Sequence, residues 1–77
     1  MSTSKTRDNL DLAATARDMA DQAPAGSLEK AVAGSVAVTC ATTRTFDEAR
    51  DVLGGVVPVE VRLPAIELLE RLAVEPV

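Results

Sequence analysis

The sequence predicts an all-α domain of four short helices, at roughly 9–23, 27–43, 45–53 and 58–74. Three features predict it. Apolar residues recur at spacings of three and four along most of the chain. The apolar runs are preceded by Asp, Ser, Thr or Pro, residues that favour helix starts. Pro24-Ala25-Gly26 and Gly54-Gly55 interrupt the periodicity between runs. The competing class is α+β, with strands at 36–43 and 56–63 flanking a central helix as a βαβ unit with terminal helices.

Residues 1–7 are polar and aperiodic and are expected to form a disordered tail, leaving 8–77 as one helical domain. In the first helix, Asp8 or Asn9 supplies a capping oxygen. Leu12, Ala16, Met19, Ala20 and Ala23 form its apolar stripe, with Asp8, Asp11, Asp18 and Asp21 mainly on the other side beside Arg17. Ser27 is placed to cap the second helix, and Glu29 lies in its first turn, where the helix dipole favours a carboxylate. Leu28, Ala31, Val32, Ser35, Val36, Thr39, Cys40 and Thr43 then recur at helical spacing. Gly34 and the β-branched residues Val36, Val38, Thr39, Thr42 and Thr43 favour the strand alternative instead.

Thr45-Phe46-Asp47-Glu48 reads as a capping box, in which the Thr hydroxyl accepts from the Glu48 amide and the Glu48 carboxylate reaches back. Phe46, Ala49, Val52 and Leu53 are expected to face inward. Gly54-Gly55 is expected to end the helix by taking the left-handed conformation. In the last segment Val57, Val59, Val61 and Leu63 alternate with polar residues and prolines, as in a half-buried strand. Read as a helix starting at Pro58, the segment carries two stripes. Val61, Ala65, Leu68 and Leu72 form one, and Val59, Leu63, Ile66 and Ala73 form the other. Pro64 would kink it, and Glu67–Arg71 is an i,i+4 pair.

Composition narrows the function classes. The chain has 77 residues, 47% apolar, with one aromatic, one Cys, no His and a net charge of −4. At this size a core supplies only about 3–5 kcal/mol, and small domains commonly add disulfides, a metal or a partner. One cysteine gives no internal disulfide, and one Cys without His leaves a structural zinc site short of ligands. Neither a cofactor nor a metal is therefore expected. The 13 Ala and 10 Val bury little area each, so an intermolecular surface is expected to supply the shortfall. The acidic balance disfavours nonspecific binding to nucleic acid or anionic membrane. No apolar run is long enough to span a bilayer. The opening MSTSKTRDN has no apolar core of a secretory signal, so the cytoplasm is the expected location. Six Arg to two Lys, with abundant Ala and Val, fits a GC-rich bacterial or phage genome.

No residue set carries a recognisable catalytic pattern. Cys40 lacks a His to activate it and reads as a buried structural thiol. The carboxylates Asp47, Glu48, Asp51, Glu67 and Glu70 read as solvated or locally paired. Ser35 stands mid-chain in an acidic protein of about the size of acyl carrier proteins. Gly34 precedes it where that family has Asp, and 36–40 carries no acid, so that motif is missing. Arg44 and Arg50 could touch phosphates if the third helix entered DNA in a helix-turn-helix arrangement, giving a small transcriptional regulator as the alternative function. Asp47, Glu48 and Asp51 on the same helix oppose this, and nucleic acid is not the expected partner.

The expected function is a non-catalytic protein–protein interaction module, regulatory or accessory. It is expected to self-associate into a homo-oligomer through the last helix, with Val61, Ile66, Leu68, Leu69 and Leu72 as the interface, and so to bind itself and/or another protein. Two apolar stripes on one helix need more cover than a thin bundle provides.

Overall fold

The computed structural model describes residues 8–56 and 58–73. The expected tail at 1–7 and the chain end after Ala73 lie outside these residues. Four helices follow in order: α1 (Asn9–Gln22), α2 (Leu28–Thr42), α3 (Phe46–Leu53) and α4 (Val59–Ala73). No strand occurs among the described residues, so the βαβ alternative is overturned. Val36 to Thr42 belong to α2, and Val59 to Leu63 belong to α4.

Local chemistry accounts for most of the helix ends. Asp8, Ser27 and Thr45 are N-caps in extended backbone, and their side-chain oxygens accept from the amides of Asp11 (2.9 Å), Lys30 (3.1 Å) and Glu48 (3.1 Å). The Glu48 carboxylate does reach back, but to the amide of Arg44 at 2.8 Å, one residue before the cap. Between α1 and α2, the Ser27 amide donates to the Pro24 carbonyl at 3.1 Å. Gly26, third residue of that turn, has φ +81°, which is the position where a type II turn requires glycine.

The end of α3 differs from expectation. Gly54 is right-handed, at φ −64° and ψ −16°. The amides of Gly54, Gly55 and Val56 donate to carbonyls three residues back, at 3.0–3.1 Å. The helix therefore closes by tightening into 3₁₀-like turns rather than by a left-handed cap.

Why α2 stays helical through its β-branched end is visible in its hydrogen bonds. Thr42 Oγ1 donates to the Val38 and Thr39 carbonyls at 3.0 and 3.2 Å, and Thr43 Oγ1 donates to the Thr39 carbonyl at 2.7 Å. Hydroxyls thus serve carbonyls at the helix end that would otherwise need solvent. Tertiary burial does the rest, because Val32, Ala33, Val36, Thr39 and Cys40 are all buried.

α1 and α2 run antiparallel, as two polar ties at opposite ends establish. Asn9 Nδ2, at the start of α1, donates to Thr43 Oγ1 (2.9 Å) and the Thr45 carbonyl (3.0 Å) beyond the end of α2. Lys30 Nζ, at the start of α2, donates to the Ala20 carbonyl near the end of α1 at 2.7 Å. A cation on the last carbonyls also complements the helix dipole. α2 packs against all three other helices, and α4 closes the bundle over α1, α2 and α3. Arg50 Nε and Glu70 Oε2 bridge α3 and α4 at 2.8 Å. Arg62 Nε ties α4 to the Val56 carbonyl at 3.1 Å.

One buried apolar cluster forms the core: Leu12 and Ala16 from α1; Val32, Ala33, Val36 and Cys40 from α2; Ala49 and Leu53 from α3; Val61, Ala65, Leu68 and Leu69 from α4. Four stripe assignments need correction. Met19, Leu28, Ala31 and Val52 are exposed. Each lies one helical step beyond the packed stripe, where a periodicity argument cannot distinguish the last core position from the first rim position. Pro64 sits inside α4 and cannot donate an amide proton to the Glu60 carbonyl four residues back. Glu60 is exposed, so water can serve that carbonyl.

Candidate functional site

Two of the four residues in the second stripe of α4, Val59 and Leu63, are exposed, whereas Ile66 and Ala73 are half-buried against the core. The five residues expected to form the interface divide differently. Val61, Leu68 and Leu69 are buried at 5%, 6% and 0% relative exposure. Ile66 and Leu72 are partly buried and pack on the same core. Most of the expected contact set therefore holds the protomer together. A partner that needed all five would have to displace α4 from the bundle.

Two of the five also reach surface depressions: Ile66 lines a shallow one beside α3, and Leu68 forms part of the floor of a groove. The groove lies between the end of α1, the start of α2 and the second half of α4, with a volume of about 250 Å³. Val32, Ala33 and Leu68 provide buried apolar floor. Met19, Leu28 and Pro64 form apolar walls, and Leu28 remains 52% exposed. Glu29, Glu67 and Arg71 complete the lining, all three exposed. The expected Glu67–Arg71 ion pair is not formed. Among the described residues the ion pair within 4 Å is Arg50–Glu70.

The local sequence explains this arrangement. The type II turn at Gly26 directs the chain into α2 so that Leu28, the first residue of that helix, stands beside Met19 near the end of α1. Pro64 and Leu68, four residues apart on α4, share the face that meets them. The Leu28 and Met19 rim was missed in the sequence because both fit the apolar stripes of their helices. The signal that could have found it is their place at helix ends, where fewer neighbours cover a side chain.

A second, longer depression of about 680 Å³ runs between α1 and α2. Its apolar lining is mostly small, chiefly Ala13, Ala20, Gly34, Ala37 and Ala41, with exposed Val38 beside them and Arg17, Asp18 and Asp21 at its edge. The acidic residues Asp8, Asp11, Asp18 and Asp21 of α1 are exposed along the helix. Among the described residues no group of three acidic or cysteine side chains is placed to hold a metal ion. None of the described helices is long and apolar enough to cross a membrane.

Cys40 is fully buried, and burial raises its pKa, which keeps the thiol protonated. Ser35 is half-buried on α2. Arg44 is exposed in the link between α2 and α3, and Arg50 is engaged with Glu70. The helix that would enter DNA presents Asp47, Glu48 and Asp51 to solvent. Arg44 and Arg50 therefore do not form a continuous basic face.

No protein-family model, curated protein or solved structure matches the chain.

Proposed function

We propose that the protein is a non-catalytic interaction module, regulatory or accessory, that docks a polypeptide at the groove between α1, α2 and α4. The observation that carries this reading is the exposed pair Met19 and Leu28 beside a floor of buried Val32, Ala33 and Leu68. A large apolar side chain inserted there removes Leu28 and Met19 from water, at roughly 25 cal/mol per Å² of apolar surface. Methionine suits such a wall because its unbranched side chain adapts to the shape it meets. The last helix keeps part of the role expected of it, through Pro64, Glu67, Leu68 and Arg71 rather than through Val61, Leu69 and Leu72. The cytoplasm remains the proposed place of action.

A Leu28→Asp variant tests the reading. Leu28 is half exposed, so the substitution leaves the core intact. Tagged wild-type and variant protein, expressed in the source cells and cross-linked before capture, are compared by mass spectrometry. The expected result is a polypeptide, a second copy or another protein, held by wild type and lost from Leu28→Asp. Equal capture by both proteins contradicts the groove as the docking face.

A further inference from the structure

We draw no further inference here: the strongest candidate, the apolar groove between α1, α2 and α4, belongs to the site already described, and nothing in the structure shows what covers it.

Discussion

Asn9 and Thr39 are the buried polar residues among the described residues, and Asn9 makes the longer-range bonds. It is 6% exposed, and its Nδ2 donates to two oxygens 34 and 36 positions further along the chain. One acceptor, the Thr43 hydroxyl, donates onward to the Thr39 carbonyl, so the start of α1 is tied to the end of α2 and the start of α3. Removing the amide leaves the half-buried Thr43 hydroxyl oxygen without its donor, while the exposed Thr45 carbonyl keeps the Ala49 amide at 3.0 Å. Asn9→Ala is expected to lower stability by about 1–3 kcal/mol, seen as a reduced urea midpoint with an unchanged slope. An unchanged midpoint would show that water replaces the amide at no cost. The sequence marks Asn9 as a possible cap because Asn at a helix start accepts from nearby amides. Its actual role is as a long-range donor, and local spacing holds no information about a contact 34 residues away. Asp8, one position earlier, is the cap. Residues whose partners lie within four positions, Asp8, Ser27 and Thr45, are legible in the sequence for the same reason.

Among the elements, α2 is the one in which local preference and tertiary demand conflict. Gly34 and the Val/Thr run favour a strand or a break, yet the helix is continuous from Leu28 to Thr42. Burial on three neighbouring helices and hydroxyl bonds at its end override propensity. Gly34 is tolerated rather than required, since a β-carbon there would have no atom within 4 Å outside its own helix. Gly34→Ala is therefore expected to stabilise the fold by up to about 1 kcal/mol, from helix propensity and a less flexible unfolded chain. For a domain of this size that raises Tm by roughly 4–8 °C. A lower Tm would mean that the glycine serves an approach absent from the isolated protomer. The helix boundaries were legible because caps and turns are short-range features. Which of two adjacent stripes faces the core was not, as Met19, Leu28 and Val52 show. α4 likewise offers two stripes to a periodicity argument, and only its packing over α1, α2 and α3 selects Val61, Ala65, Leu68 and Leu69.

At the scale of the whole molecule, the buried core is made of four leucines, three valines, four alanines and a cysteine. Such a core buries little apolar area for its number of residues, and a chain of this length has little stability to spare. Leu28 and Met19 nevertheless remain outside it. Association through their groove would recover apolar area that the protomer alone leaves in water. It would also make stability depend on protein concentration. The acidic balance of the chain sets a limit on such pairing, because two copies repel at long range. The part of the site legible in the sequence was the need for cover and the involvement of the last helix. Its location was not legible, because it depends on how the ends of α1 and α2 meet α4.

The central claim is that a polypeptide docks at the groove beside Leu28. A photo-cross-linking side chain placed at position 28 in the source cells measures that contact directly. The account predicts a covalent polypeptide adduct at position 28 and none from the same group at Val59. No adduct at position 28, or equal adducts at both positions, would contradict it.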